Sequence, residues 1–599
     1  MKSINDIDLK RIIDDKEFTV SPIDWENQII YFLLIDRFSD GNEEKYRVYD
    51  SIVDYENVLK NGNQEDWELA AKQWNGGTLK GVESKLQYLK ELGITTIWLS
   101  PILKQPIYSN NYHGYGIQNF LEIDPHIGSK EDLISLVSSA HALDIYVIMD
   151  VIINHTGDIF SYEDDLCIYN GQTFSIKGFR DEKGNATLPF EKNLDYNIDS
   201  AVWPVELQDS ESFYRKGQIK DWEKYPEYVE GDFMTLKTLN LGSTEKEHFH
   251  APRSLNVLIK VFKYWIALAD LDGFRIDTVK HVKWEATNHF TQSIHEFAKS
   301  IGKDNFYLIG EITGGMDFAI KTLKKTGLDA ALGINNIPEA MEKVAKGYES
   351  PETYFDIFSN SEILGDKENL WYKDKVVTMF DDHDMVSQDG DIKQRFTADQ
   401  SSKALLLNCL FLNVFTSGIP CIYYGTEQGF DGKGPSDKYI RENMFGKKFG
   451  AFRTQNRHFF DKNSPTYIEL SRILAIRKSY IALKHGRQFL REISKNDDPF
   501  HYPKKIGEER ISSVVCWSKI FNDEEFVLAI NTDTVEKQEV YVKIDPNINS
   551  LGDVYEYLYS DNKGLVGKSV IVEEVNDVRC LKVQVNNSGR VLLKLKEEK

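Results

Sequence analysis

The chain is short of three things, and each shortage closes off a class of protein. Cysteine is scarce: five residues in 599 (Cys167, Cys409, Cys421, Cys516 and Cys580), scattered and without a CxxC pair. That is too few for a disulfide framework or a cysteine zinc site, and Cys409 and Cys421 fall in apolar runs as small buried hydrophobes. Positive charge is short as well, with 72 Lys+Arg against 94 Asp+Glu and a net charge of −22. Nucleic-acid backbones and anionic membrane surfaces are bound by cationic side chains, so neither is expected as a partner. Long apolar runs are missing too. The amino terminus, MKSINDIDLKRIIDDKEFTVSP, is polar and acidic with no apolar signal core, and no other stretch approaches a membrane span. These features point to a cytoplasmic protein in a reducing compartment; a chain trimmed of an export signal reads the same way.

What is present is an ordinary globular balance, 41% hydrophobic and 28% charged, with ample material for a large core. Short β-branched or aromatic runs alternate with segments of helical period. Strands are expected at Ile29–Ile35, Thr96–Leu99, Ile145–Val151, Gly273–Ile276, Phe306–Ile309, Ala330–Ile334, Val376–Phe380 and Pro420–Tyr424. Helices are expected at Gly81–Gly93, Lys130–Leu143 and Leu255–Leu271. This alternation predicts an α/β fold, a (β/α)₈ TIM barrel. Two regions interrupt it. Residues 156–253, rich in Tyr, Asp and Gly, are too long for a loop and read as an inserted domain after strand 3. Beyond residue 486 the helical signal stops, and short alternating runs separated by Asn, Asp and Gly predict a C-terminal antiparallel β domain, a sandwich over 487–599. The barrel then comprises 1–155 and 254–486. No repeat or low-complexity segment is seen.

Barrel enzymes place their reacting groups at the carboxyl ends of strands. Here the third strand ends in Asp150, followed by Asn154-His155, the fourth in Arg275-Ile276-Asp277, the fifth in Gly310-Glu311 and the seventh in Asp381-Asp382-His383-Asp384. Singly, each is explained as a helix cap, a solvated loop or a structural ion pair. Caps would fall at both ends of strands, whereas these all fall at one. Two chemistries suit carboxylates with histidines and no cysteine or phosphate loop. One is a divalent metal site. The other is glycoside hydrolysis, in which one carboxylate attacks the anomeric carbon and a protonated one donates to the leaving oxygen. The second fits better. Glu311 stands alone at a strand end before apolar Ile312, as suits a raised-pKa proton donor, and Arg275 projects to the same face as Asp277 and keeps it ionised.

The strings DVIINH (150–155), GFRIDTVKH (273–281), IGEI (309–312) and FDDHD (380–384) resemble, in order, the four signature regions of the α-amylase family of glycoside hydrolases. IIYFLLIDRFSDGN, GGTLKGVESKLQYLKELGITTIWLSP, YHGYGIQNF and GIPCIYYGTEQGF extend the likeness over roughly residues 28–480. The resemblance implies an anomer-retaining double displacement on α-1,4-linked glucans (starch-type chains or imported maltodextrins), with Asp277 as nucleophile, Glu311 as general acid and then base, and Asp384 binding the sugar hydroxyls. It further implies that His155 and His383 hydrogen-bond the same sugar, Arg275 orients Asp277, Tyr115 stacks beneath the ring, and Lys280 and His281 contact the acceptor side. Asp-Thr-Val-Lys-His after the arginine looks like α-1,4-acting amylases and cyclodextrin glucanotransferases rather than α-1,6-glucosidases. A 4-α-glucanotransferase is therefore the alternative. Against it, the insert position where glucanotransferases carry an aromatic aligns with Met234, although Phe233 is adjacent.

No cofactor is required by this reading. The family's usual calcium site would use Asn154, a charged residue at the position of Thr238 and the carbonyl of His281; neutral Thr238 predicts a weak or absent site. A second candidate calcium loop is Asp40-Gly41-Asn42, whose alternative is a solvated acidic turn. The many aromatics of the insert are expected to form its core, Trp517 to pack on the barrel, and the chain to be a monomer or homodimer. A non-catalytic sugar-binding protein and a metal-dependent phosphoesterase are the rival classes.

Overall fold

The computed structural model describes all residues except 15, 51–52, 55–67, 165–166, 246–247, 334–335, 359–373, 385–391, 447–451, 496–497 and 597–599. The β-branched and aromatic runs form the strands of a (β/α)₈ barrel: β1 (Ile30–Leu33), β2 (Thr96–Leu99), β3 (Tyr146–Val151), β4 (Gly273–Ile276), β5 (Tyr307–Glu311), β6 (Ala330–Leu332), β7 (Val377–Thr378) and β8 (Ile419–Tyr423). By compactness the chain divides into two units: Met1–Trp25, Ile30–Ile334 and Arg441–Asp461 in the first, and Glu26–Ile29, Asn335–Ile440 and Lys462–Lys599 in the second. The first carries β1 to β6, the second β7 and β8.

In the first unit the six strands are parallel, in sequential order. β1 is buried along its whole length, as expected of strands covered on both faces. The intervening helices begin and end where local chemistry dictates. Ser129 and Asp132 form a capping box that starts Lys130–His141. Gly93, at φ 111°, closes Leu86–Leu92 by donating to the carbonyls of Leu89 and Lys90. Arg253–Ala269 packs Leu255, Leu258, Phe262, Trp265 and Ile266 into the core, where the Phe262 and Phe274 rings meet at 5.7 Å. Between β3 and that helix, the insert folds as small antiparallel sheets: Phe160–Tyr162, Ile176–Arg180 and Ala186–Leu188, then Lys237–Thr238 paired with His155–Thr156.

In the second unit β7 and β8 pair in parallel. A six-stranded antiparallel sheet begins at Arg487–Arg491, and a four-stranded one is built around Gln538–Lys543 and Val578–Val585. Their inward residues, among them Val514, Cys516, Val527, Val540, Val542, Leu581, Val583 and Leu593, make one core. Helix Leu406–Phe415 belongs to this unit because it is tied to that sheet. Asn408 donates to the Asn531 carbonyl at 2.9 Å, Arg590 donates to Asn408 at 3.3 Å, and buried Trp517 donates to the Phe415 carbonyl at 3.4 Å. All five cysteines are buried and free. Among the described residues no helix is long and apolar enough to cross a membrane.

The amino-terminal side of β3 and β4 is held by a buried charge cluster. Asp272 accepts from the Val147 N–H at 2.8 Å, and His141 lies 2.8 Å from Asp272 and 3.3 Å from Asp270. Lys303 pairs with both acids, at 2.8 and 2.7 Å. Burial pulls the His141 pKa down, but hydrogen bonds and charge from Asp270 and Asp272 prevail and raise it to about 9. A raised histidine pKa gives stabilisation that is complete below the unfolded value of 6.5 and disappears as pH passes about 9. Thermal unfolding between pH 6 and 10 should therefore show the wild type losing on the order of 3 kcal/mol relative to His141→Gln. Parallel melting curves for the two proteins would contradict this.

Candidate active site

The register of β3, β4 and β5 builds the centre of the site. Arg275 lies directly across from Asp150 on β3 and Ile309 on β5, and alternation along β4 puts Arg275 and Asp277 on one face and Phe274 and Ile276 on the other. Phe274 meets Phe262 and Phe306, ring to ring at 5.7 and 5.1 Å. Arg275, only 1% exposed, donates from Nη1 to both Asp150 oxygens at 3.0 and 3.1 Å and to Asp277 Oδ1 at 2.7 Å. Its Nη2 pairs with Glu311 Oε1 at 2.8 Å. One guanidinium thus holds three carboxylates from three adjacent strands. Burial alone would lower the Arg275 pKa, but the charges of Asp150 and Glu311, with those of Tyr115 and Asp277, raise it well above its ordinary value. Asp150 also accepts from Trp98 Nε1 at 3.2 Å and from the Tyr115 hydroxyl at 3.0 Å. Its role as anchor for the arginine and tyrosine was legible only as a strand-end acid.

Thr278, directly after Asp277, has φ 47°, a left-handed conformation rare for a β-branched residue. In that turn its N–H donates to Glu311 Oε2 at 2.9 Å, so local strain positions a donor on the glutamate. Glu311 therefore accepts from Arg275 and from Thr278, an arrangement suited to its ionised form.

The histidines are engaged within the protein. His155 Nε2 meets the Tyr115 carbonyl at 3.1 Å, and its Nδ1 meets the Asn154 side-chain nitrogen at 3.3 Å. A carbonyl can only accept and an amide nitrogen only donate, so His155 is the neutral Nε2–H tautomer; burial outweighs the nearby Asp277 charge and lowers its pKa. It thereby holds the Tyr115 backbone, and Tyr115 directs its hydroxyl to Asp150. His281 Nδ1 lies 2.6 Å from the Tyr228 carbonyl, and burial lowers its pKa to about 4. Lys280, in the same turn Val279–His281, pairs with Glu223 of the insert at 2.5 Å.

Around His281 the insert contributes three rings, Phe233 at 5.2 Å, Trp222 at 5.7 Å and Tyr228 at 6.0 Å, of which Trp222 and Tyr228 were expected in its core. Phe233 also stacks near His155 at 5.9 Å. Met234, which aligns with the glucanotransferase aromatic, is 64% exposed at φ 59°. The aromatic at the histidines is thus Phe233, one position earlier, and the argument from a lost aromatic does not hold.

In the second unit, Asp381 is structural: it accepts from the Phe396 N–H at 2.8 Å and the Thr426 hydroxyl at 2.9 Å. His383 bridges Asp382 and Asp384, with Nδ1 2.6 Å from Asp382 Oδ1 and Nε2 3.1 Å from Asp384 Oδ2. Asp384 keeps a partly exposed side chain. Asp277, Glu311, Arg275, Tyr115 and His155 are thus brought together in the first unit, and His383 with Asp384 in the second.

The residues near Asn154 do not fit a calcium ion. The Thr238 hydroxyl donates to the Gly231 carbonyl at 2.7 Å. The neighbouring buried acid, Asp232, accepts from the Thr238 N–H at 3.0 Å and the Tyr162 hydroxyl at 2.6 Å and lies 3.7 Å from the Lys237 ammonium. Lys237, also 3.4 Å from Asp158, already provides a cation there. The Asp40–Asn42 loop fits a cation no better. The Asn42 N–H and the Tyr46 hydroxyl donate to the two Asp40 oxygens at 2.9 and 3.2 Å, and Lys45 donates to Asn42 Oδ1 at 2.7 Å. This is an Asx turn with its oxygens on protein donors.

Comparison with known proteins gives a consistent picture. The family model "Alpha amylase, catalytic domain" matches residues 32–464. An alpha-amylase of Streptomyces lividans is 30% identical over 453 residues, 69% of this chain and 48% of the relative, so the chain spans about half of that protein's length. A cyclomaltodextrin glucanotransferase of Klebsiella oxytoca is 25% identical over 521 residues, 81% of this chain and 70% of the relative. The crystal structure of a Geobacillus thermoleovorans alpha-amylase, complexed with acarbose, superposes with a TM-score of 0.65 at 23% identity, covering 96% of this chain and all of that one, and shares the fold. On the match across its barrel, this chain belongs to the alpha-amylase family.

Proposed function

We propose that the protein is a retaining glycoside hydrolase that cleaves α-1,4-glucosidic bonds of maltodextrins and starch-type glucans. The observation that carries this reading is the pair of carboxylates, Asp277 and Glu311, held at the two ends of the Arg275 guanidinium on neighbouring strand ends. Asp277 attacks the anomeric carbon, forming a C–O bond to the sugar as the glycosidic C–O bond breaks. Glu311 gives its proton to the departing oxygen and then, as the carboxylate, takes one from the incoming water that releases the sugar. Donation requires Glu311 to be protonated, and Arg275 and Thr278 favour its ionised form. The geometry therefore corresponds to the base half of the cycle, and the acid half calls for Glu311 to leave those donors as substrate enters. On this reading Asp384, steadied by His383, receives sugar hydroxyls. Tyr115 presents its ring to the sugar while its hydroxyl is fixed by Asp150.

A second reading, 4-α-glucanotransferase, differs only in letting a sugar hydroxyl replace water. It is favoured by the Phe233, Trp222 and Tyr228 rings around His281, which offer an apolar wall to an acceptor sugar. Calcium has no part in either reading, since Lys237 supplies the insert's internal cation.

Five measurements test this. Asp277→Asn should abolish turnover of maltoheptaose while retaining binding. Glu311→Gln should lose about 10²–10⁴-fold on natural glucans, and much less on substrates with activated leaving groups; equal losses on both would remove Glu311 from the acid role. Size-resolved products from maltoheptaose decide between the readings: oligomers longer than the input mean transfer, and Phe233→Ala should then reduce their share. Finally, exhaustive chelation should leave activity and melting temperature unchanged, whereas Lys237→Met should destabilise by about 3–5 kcal/mol by leaving Asp232 without its cation.

A further inference from the structure

The turn that follows Asp277 and Thr278 carries a charge whose partner comes from the insert. Lys280 lies in this turn, Val279–His281. The turn stands on the Glu311 side of the site. The Thr278 N–H reaches Glu311, and a Cβ added at Gly310 would lie 3.2 Å from Val279 Cγ2, so the turn packs against the end of β5. On the reading proposed above, Glu311 protonates the departing oxygen, which places the departing sugar, and any acceptor that replaces it, on this side.

The Lys280 side chain is only 9% exposed, and its ammonium meets Glu223 Oε1 at 2.5 Å; the Glu223 side chain is 78% exposed. An ammonium taken that far out of water needs an opposite charge. The insert fixes the backbone that supplies it. Buried Glu227 accepts from the Lys220 and Asp221 N–H groups at 2.7 and 2.8 Å, and Asp221 accepts from the Glu223 N–H at 3.0 Å. The Tyr228 ring centre lies 5.9 Å from the ammonium, and the neighbouring His281 is neutral. Alone, Lys280 would present a positive charge to the sugar on this side and attract carboxylates and phosphates. With Glu223 beside it the pair has no net charge. A hydroxyl donates to the carboxylate and accepts from the ammonium, whereas an anion meets the Glu223 charge as well as that of Lys280. Like charge placed against a wrong ligand separates two ligands that share their other contacts.

We propose that Glu223 is a specificity-determining residue that cancels the Lys280 charge and so makes the leaving and acceptor side select neutral sugars over anionic ones; this rests on the glycosidase reading above. The test compares maltotriose to maltoheptaose with the same chains oxidised at the reducing end to the carboxylate, which carries a negative charge onto the leaving side. By kcat/KM the wild type should prefer the neutral chains. Glu223→Gln should raise the ratio of oxidised to neutral kcat/KM about fivefold at low salt, the scale of one charge pair in contact with water. The gain should fade in about 1 M salt, where screening acts within about 3 Å. Glu223→Asp, which keeps the charge, should keep the wild-type preference. A ratio that Glu223→Gln leaves unchanged, or a gain indifferent to salt, overturns the proposal while leaving the hydrolase reading in place. So does an equal loss on both substrates with a lower melting temperature, which would mark a purely structural pair. If the wild type turns over no α-glucan, neutral or oxidised, the hydrolase reading falls and takes the proposal with it.

Discussion

The arrangement of this barrel's strand ends depends on the sharing of one buried guanidinium among three carboxylates. Taking a cation out of water is expensive unless it is paired and hydrogen-bonded, and Arg275 meets that condition only because β3, β4 and β5 run parallel in a register that sets Asp150 opposite it, with Asp277 two residues on. A planar fork with donors in fixed directions can serve three acids at once; the ammonium of a lysine could not. The acids differ in what else they accept. Asp150 also takes Trp98 and Tyr115, which marks it as the fixed support. Glu311 takes the N–H of a strained threonine and is the only one of the three with appreciable side-chain exposure.

The insert answers a related problem on the barrel's flank. A loop of this length needs an internal tether, and Lys237 gives it one, lying between Asp158 and Asp232 and over the rings of Phe160 and Tyr162 at 5.2 and 5.1 Å. A covalently attached ammonium does not dissociate, so this tether is part of the chain itself. That rigidity matters for the site because the same insert presents Trp222, Tyr228 and Phe233 to His281 and offers Glu223 to Lys280.

The barrel strands could be read from the sequence because hydrophobic period and strand length are local properties. β2 and β4 begin and end where the pattern places them, whereas β1 (Ile30–Leu33), β3 (Tyr146–Val151), β6 (Ala330–Leu332) and β7 (Val377–Thr378) are shorter than expected. The strand-end acids were legible for the same reason. What could not be read depends on conformation or on distant partners. Met234 takes a left-handed conformation that methionine does not announce, and it is the neighbouring Phe233 that meets the histidines. Whether an aromatic of the insert lines the site or fills its core depends on which element it packs against, and composition does not encode that. The engagement of both His155 nitrogens needed the Tyr115 carbonyl from forty residues upstream.

On the proposed reading, the two halves of the reaction are governed by separate parts of the chain. Formation of the glycosyl intermediate belongs to Asp277, Glu311 and Arg275, which the barrel strands fix. Its release belongs to whatever stands on the acceptor side, and there the groups come mostly from the insert. His281 is neutral, held by the Tyr228 carbonyl, and Lys280 is already matched by Glu223, so neither places a bare charge that would gather water. The surrounding rings are apolar surface, which water covers poorly and a sugar face covers well. A wall of this kind lowers the local claim of water on the intermediate without touching the barrel. On that reading, chains with the same strand-end acids divide between hydrolysis and transfer by what lines the acceptor side, and in this protein that lining would be Phe233 and its neighbours around His281.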